Sequence, residues 1–441
     1  MSELNLLYVH SNHMGYGRMG VNIADAIERQ GITIYDQLDG TDVDGLVVPA
    51  GTRFDPNRNV GRSNVALWLS VPGHATGWWK GQHVSLFTMW EATRLPETFR
   101  QHLDEYETLF VPSWHNEELF GKYHPNVKFV PLGVDPDVWH YQERLEPSRY
   151  FRFLCGGSGA RKGTDLAVKA FKALWGRDGS WGSGPIPVLQ LKNPRGEDFY
   201  GDRIEMITGC LSDAEEVELY AGAHCYLGPS RGEGFGLQPL QAIAQGCPTI
   251  LTNAHGHESF AHLGYGLGST MSETAYFIYG DAGQWWEPDL DDLIEHMRYV
   301  YDHYDRATAW AREASDIARR DFTWDNTANR LLDTLGRDRL TPHDGPDEWY
   351  EVSVRKFPIV LKSNMVCDIG GTVYNFKAGV KSYVFADVKR VLFEGGHLDP
   401  ICLNDDDLDQ CGLTPSQVER ADEYRAEQAD CPTCGRPLNV G

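Results

Sequence analysis

Strand-like apolar runs alternate with glycine-containing turns and helical stretches along most of this chain, and the alternation is played twice. Residues 4–10, 45–49, 65–69, 84–88, 108–111 and 127–130 read as strands, with helical spacing at 21–30, 96–105 and 116–123. A turn-rich stretch and a polar run follow, and the pattern restarts. Residues 151–155, 188–191, 204–207, 225–227 and 249–251 read as strands, 165–174 as a helix, and 290–334 as a helical finish. Repeated strand–turn–helix units build parallel sheets covered by helices on both faces. Two such runs joined near residues 136–148 predict an α/β protein of two facing Rossmann-like domains, 1–140 and 141–340. Beyond Gly336 the character changes. Residues 351–361, 373–376 and 383–385 suit a small β-rich module with an acidic tail, 341–441, set off where Pro, His, Asp and Gly cluster at 340–347.

The 441 residues exceed what one ordinary core organises, in keeping with several domains. No apolar run approaches the roughly 20 residues of a membrane span. The opening Met1-Ser2-Glu3-Leu4-Asn5 lacks a basic n-region, so the expectation is a cytoplasmic protein with no membrane insertion, in a host cytoplasm if the chain is phage-encoded. A formal charge of −23 repels nucleic acid and anionic membranes at long range, which argues against a DNA partner without forbidding a local basic cleft. Of the nine cysteines, Cys155, Cys210, Cys225 and Cys247 fall in strand-like or packed segments and read as buried thiols. Cys431 and Cys434 have knuckle spacing, and with Cys402, Cys411 or His397 would make a structural zinc site; the alternative is a frayed terminus with free thiols.

The segment richest in chemistry is Pro229-Ser230-Arg231-Gly232-Glu233-Gly234-Phe235-Gly236-Leu237-Gln238-Pro239-Leu240-Gln241-Ala242. It follows a predicted strand and opens a helix, so its backbone N–H groups converge at the positive end of a helix dipole, where an anionic group binds. Glycines flanking Phe235 let a bulky ligand approach the main chain. A carboxylate at an anion site, Glu233, makes sense if it accepts hydrogen bonds from sugar hydroxyls while amides hold phosphate.

This segment resembles the signature of the retaining glycosyltransferases of family 4 (glycosyl transferases group 1), in which one Glu is followed after seven residues by a second. The resemblance extends over about residues 5–335 and implies a GT-B fold. It gives Glu233 the donor sugar, and it puts Gln241 where the second Glu holds the ribose hydroxyls, so charge is lost there but hydrogen bonding is kept. Gly156-Gly157-Ser158-Gly159-Ala160-Arg161-Lys162-Gly163 resembles the loop that neutralises the donor diphosphate through Lys162, with Arg161 replacing an arginine usually found further upstream. Lys192 would add charge. Gly209-Cys210-Leu211-Ser212 resembles the loop that receives the base, while Ser230, Gly234, Phe235, Gly236 and Leu237 line the donor from the helix side.

In the first half, Met89-Trp90-Glu91-Ala92-Thr93-Arg94-Leu95-Pro96, Val111-Pro112-Ser113 and Pro131-Leu132-Gly133-Val134-Asp135 resemble further family landmarks, and Phe322-Thr323-Trp324 the start of a final helix that packs back on the first domain. Gly15, Gly17 and Arg18 would form a loop facing the diphosphate, although any α/β turn can be glycine-rich. His74 is the candidate sugar or acceptor contact from this domain, against the plainer reading of a turn cap. Trp78, Trp79, Trp90 and Trp114 suit a core better than an acceptor platform.

The resemblance implies a sugar moved from a nucleoside-diphosphate sugar with retention, no metal required, to a protein or small-molecule acceptor. Two alternatives stay open: glycosylation of modified bases in phage DNA, and a non-catalytic protein that binds sugar nucleotides or plays a structural part. Residues 356–397 faintly resemble modules of phage structural proteins, which would fit a phage origin and an acceptor-targeting appendage.

Overall fold

The computed structural model describes residues 2–8, 15–38, 63–72, 78–79, 82–157, 159–177, 179–192, 201–209, 211–272, 275–277 and 280–342, with short strands between 349 and 384. Two six-stranded sheets, parallel throughout, carry the architecture. The first is ordered β2-β1-β3-β4-β5-β6, from β1 (Glu3–Tyr8), β2 (Thr33–Leu38), β3 (Val65–Leu69), β4 (His83–Phe87), β5 (Thr108–Val111) and β6 (Val127–Phe129). All five β3 residues are buried, as expected of a central parallel strand covered on both faces.

The second sheet is ordered β9-β8-β7-β10-β11-β12, from β7 (Tyr150–Gly156), β8 (Ile186–Lys192), β9 (Ile204–Ile207), β10 (Cys225–Gly228), β11 (Thr249–Thr252) and β12 (Tyr265–Leu267). This is the Rossmann order. The helices that matter for the site are α1 (Gly15–Glu28), α2 (Trp114–Gly121), α3 (Thr164–Trp175), α4 (Asp213–Gly222) and α5 (Leu237–Ala244). α6 (Leu290–Asp302), α7 (Tyr304–Asp321) and α8 (Trp324–Leu335) close the second unit.

The sequence reading misplaced one element with consequence. Residues 15–20, expected as a glycine turn, are the first turns of α1. Gly17 and Gly20 lie on the buried face of that helix, and a Cβ on Gly20 would stand 2.3 Å from the Tyr8 ring. Here glycine permits close helix–strand packing rather than a turn. Residues 96–105 form only the single turns Glu97–Arg100 and Leu103–Glu105, while β2 and β12 went unanticipated. The strand expected at 45–49 lies outside the described residues.

The connection between the units is fastened to the second. Arg144 donates to the carbonyls of Tyr220, Ala221, Ala223 and Gln245, and Trp139 packs edge-on against Tyr220 at 5.5 Å. From there α8 returns to the first unit as expected. Arg29, just past the end of α1, pairs with Asp325 at 2.7 Å, and Gly133 abuts the main chain at Thr323, where a Cβ would lie 2.2 Å away. One hydrophobic core therefore runs from Leu4 and Ile23 through Trp139 to Leu240, Trp324 and Leu331. The chain then stays on the first unit. Glu3 N donates to Leu340 O, Asn64 N donates to Thr341 O, and Trp349–Tyr350 pairs antiparallel with Trp78–Trp79. Further on, Met365–Ile369 pairs with Thr372–Phe376 and Phe357–Ile359 with Ser382–Val384.

Candidate active site

In the second sheet β7 and β10 are neighbours, and the chain leaves them in opposite directions, β7 towards β8 and β9, β10 towards β11 and β12. The crevice beyond such a reversal is where open α/β sheets bind ligands. Residues 157–163 leave β7 there and residues 229–236 leave β10, so the sheet topology alone brings together the two segments singled out in the sequence. Their fit depends on Gly163, which has φ +68° and so little room that a Cβ would lie 1.7 Å from the Pro229 carbonyl oxygen. Gly157, at φ +103°, leaves space for the Lys162 stem.

Glu233 is the hub. Lys162 Nζ donates to its Oε1 at 2.6 Å, Ser230 Oγ to the same oxygen at 3.0 Å, and Arg161 to Oε2 at 3.2 Å. Burial opposes ionisation, but Lys162 and Arg161 outweigh it and hold the carboxyl far below the usual carboxylate range. Arg161 also donates to Gly232 O at 2.6 Å.

Arg231, whose part sequence reasoning missed, clips this assembly together. Its guanidinium meets both oxygens of Asp165 on α3, at 2.7 and 3.0 Å, and both of Glu287, and it also donates to Ala160 O. An arginine between two acids on separate elements could have been suspected but not located, because nothing in the local sequence says where Asp165 and Glu287 end up.

Gly236, at φ +107°, stands at the N-terminus of α5. Phe235 turns its side chain into the core against Phe260, ring centroids 5.2 Å apart, leaving its main chain for a ligand. Gln241 is buried on α5 with no hydrogen-bond partner for its Oε1, an acceptor available to a donating hydroxyl. Leu237 opens the same helix, and the Tyr226 hydroxyl reaches Gln238 at 3.4 Å. Gly209, at φ +103°, and the half-buried Leu211 flank the start of α4, where Ser212 and Glu215 form a capping box.

Behind Gly236 stand two histidines that the sequence reading passed over. The rings of His255 and His257 lie 4.7 Å apart, tilted at 57°, and His255 bonds the Ser230 carbonyl at 3.0 Å. Burial pushes His257 down to about 4, and neither of its ring nitrogens makes a well-formed hydrogen bond. Lys192 is engaged rather than open. Its ammonium meets Glu216 Oε1, while Arg18 reaches Glu216 Oε2 at 2.7 Å and Asp213 at 3.1 Å across the cleft.

The first unit supplies the opposite wall. Gly15 and Gly17 belong to α1, whose first turns carry Arg18 to α4. The segment after β4 lies directly on the Glu233 loop. Met89 fills the space beside Gly234, and the Glu91 carbonyl that beside Gly232. Asn116 on α2 accepts from Trp90 N at 2.6 Å and donates to Gly234 O at 3.2 Å. Glu91 Oε1 comes within 3.6 Å of Arg161. His74, Cys210, His397 and the zinc candidates Cys402, Cys411, Cys431 and Cys434 lie outside the described residues, as do the side chains of Trp78 and Trp79. Among the described residues no group of three or more His, Cys, Asp or Glu is placed to hold a metal. Cys155, Cys225 and Cys247 are buried thiols.

Two facing Rossmann-like units, a helix that recrosses between them and the Lys162–Arg161–Glu233 cluster at the switch point of the second match the GT-B class of glycosyltransferases. Solved structures of that shape align along most of the chain. A glycosyltransferase of Rickettsia africae matches with TM-score 0.56 at 13% identity, covering 77% of this chain and 99% of that one. Sucrose-phosphate synthase of Thermosynechococcus elongatus matches with TM-score 0.55 at 13% identity, covering 76% and 98%. In sequence, the GDP-mannose-dependent α-(1-6)-phosphatidylinositol dimannoside mannosyltransferase of Mycobacterium tuberculosis is 26% identical over 249 residues, 52% of this chain and 58% of that protein. The chain spans less than two thirds of the length of the curated relatives it matches. The family described as family 4 glycosyltransferase in conflict systems matches residues 113–331, which hold Glu233, Lys162 and Arg161. That match, with the relatives and the shape of the solved structures, supports a family 4 glycosyltransferase.

Proposed function

We propose that the protein transfers a sugar from a nucleoside-diphosphate sugar to a protein or small-molecule acceptor, with retention of the anomeric configuration. The observation that carries this reading is the convergence of Lys162 and Arg161 on Glu233 at the switch point of the second sheet. A diphosphate entering there meets two cations and the helix-end amides of residues 234–236, which stabilise the charge of the leaving group. Glu233, relieved of part of its ion pairing, accepts hydrogen bonds from the sugar hydroxyls. Gln241 Oε1 is free to accept from a ribose hydroxyl. The mycobacterial relative, GDP-mannose-dependent by name, supports the donor class without fixing the base.

In this reading residues 1–140 form the acceptor-side domain, 141–340 the donor domain and 341–441 an accessory module. The chemistry draws on main-chain amides, cations and the leaving phosphate, with no metal in the reaction.

A thermal-shift screen of uridine-, guanosine- and adenosine-diphosphate sugars against the wild type and Glu233→Ala tests the proposal. A ligand of the native state raises the melting temperature by mass action. The expected result is a clear shift with one nucleotide sugar, reduced in the variant. A folded wild type that responds to none of them would overturn the transferase reading in favour of a structural one.

A further inference from the structure

Glu91 stands opposite Glu233 on the other wall of the cleft, and one guanidinium nitrogen of Arg161 faces both carboxylates, at 3.6 and 3.2 Å. The first domain thus brings an acid to the very cation that the donor diphosphate would engage. Its placement is built. Met89 N donates to the Tyr16 hydroxyl at 3.1 Å, Trp90 N to Asn116 at 2.6 Å and the Trp90 indole to Arg94 O at 2.7 Å. On the far side, Thr93 N and Arg94 N donate to the carbonyls of Gln284 and Ala282 in the second domain. A residue held from both sides and packed by its own carbonyl on Gly232 has little freedom to leave. The Glu91 side chain remains one quarter exposed, so it borders the cleft instead of being sealed in the core.

We propose that Glu91 is the acceptor-side carboxylate of the reaction centre, an inference that rests on the transferase reading above. When a donor diphosphate takes over Arg161, the Glu91 carboxylate turns to the attacking hydroxyl, or to water in its absence, and accepts its hydrogen bond. The oxygen is thereby oriented towards the anomeric carbon on the side from which the diphosphate departs. The bond from the anomeric carbon to the diphosphate oxygen breaks and its electron pair stays with the diphosphate. As the bond to the acceptor oxygen forms, the hydroxyl hydrogen turns from Glu91 to the departing phosphate oxygen, which takes the proton. Glu91 orients this exchange and ends it ionised. Because the ionised carboxylate repels negative charge, the acceptor site favours neutral or cationic hydroxyl compounds over anionic ones.

The sign of the effect on donor binding separates this role from a structural one. Removing Glu91 takes a competing anion away from Arg161, so donor affinity holds or rises, whereas a collapsed loop would weaken it. The experiment uses the purified full chain and the nucleotide sugar that shifts the wild type, with donor affinity read by thermal titration. Turnover is read as nucleoside diphosphate released in water at saturating donor. Glu91→Ala is expected to lose at least tenfold in turnover with donor affinity unchanged or tighter, and Glu91→Gln, which keeps an accepting oxygen, to recover part of the loss. Turnover within twofold of wild type, or a loss of affinity matching the loss of turnover, overturns the role of Glu91. A wild type that binds donor without releasing nucleoside diphosphate also overturns it while leaving the donor site standing. A wild type that neither binds nor turns over any donor overturns both readings.

Discussion

His257 sits in a sealed position with Glu233, Lys162 and Arg161 for neighbours, and its charge state decides how the site responds to acid. Burial lowers its pKa from 6.5 to about 4; Glu233 pulls the other way and does not compensate. His115 and His224 are depressed to about 4 for the same first cause. In each case the folded protein binds fewer protons than the unfolded chain between these two values, so stability is fully present above pH 6.5 and declines as the pH falls towards 4. The ionised Glu233 contributes a further loss only below its unfolded value of 4.5, as its lowered pKa is approached. For the fully buried His257 the loss between pH 7 and pH 5 is at most about 2 kcal/mol. Urea midpoints recorded at pH 7 and pH 5 should therefore fall on acidification, and His257→Leu should shrink the difference. A variant with the wild-type pH dependence would show that this ring does not remain neutral.

The short turn 160–162 and the strand ends around it make the site possible, and two glycines that look alike in sequence separate geometry from mere flexibility. Gly163 and Gly159 both have positive φ, but a Cβ on Gly163 collides with the Pro229 carbonyl, whereas one on Gly159 meets nothing within 4 Å. Gly159→Ala should cost about 2 kcal/mol, the strain of its positive-φ, extended-ψ backbone alone. Gly163→Ala should cost about 3 kcal/mol or more and also separate Lys162 from Glu233, abolishing the thermal shift by donor. Denaturant titrations of both variants, with and without the nucleotide sugar, check the contrast. At this scale the sequence was a good guide wherever strands are continuous apolar runs. β3, β5 and β9 start and end where the residue pattern puts them. It misled at Gly15-Tyr16-Gly17-Arg18-Met19-Gly20, because glycines spaced two and three apart suit a turn and a tightly packed helix equally, and only the Tyr8 ring across the gap decides between them. Glu233, Lys162 and Arg161 were legible because motif and topology coincide at one strand reversal. Arg231, His257 and Glu216 were not, since each draws its significance from partners far along the chain.

The two domains are joined by more than their connection. A single core passes through α8, and the helix starts of α1 and α4 meet over one buried carboxylate. Glu216 is shared by Lys192 of its own domain and Arg18 of the other, and burial lowers the Lys192 pKa against the pull of Glu216. Such a triad is weak evidence for stability, because desolvation offsets the attraction, but breaking it strands charge in the interior. The three members should therefore respond unequally. Glu216→Gln leaves two cations facing each other, one of them buried, and is expected to cost about 3 kcal/mol. Arg18→Gln leaves the Lys192–Glu216 pair intact within the second domain, so the fold should lose about 1 kcal/mol or less. What Arg18→Gln does remove is a tie across the cleft. Without it the domains are still held by α8, by the contacts of residues 89–94 and by those of α2 such as Asn116 to Gly234 O, and the equilibrium between closed and open arrangements moves towards open. Small-angle scattering should then give a larger radius of gyration for Arg18→Gln than for wild type, with the urea midpoint nearly unchanged. Equal radii for the two proteins would mean that closure is governed by the Glu91 wall and the recrossing helix, and that Arg18 serves only to hold Glu216 in place.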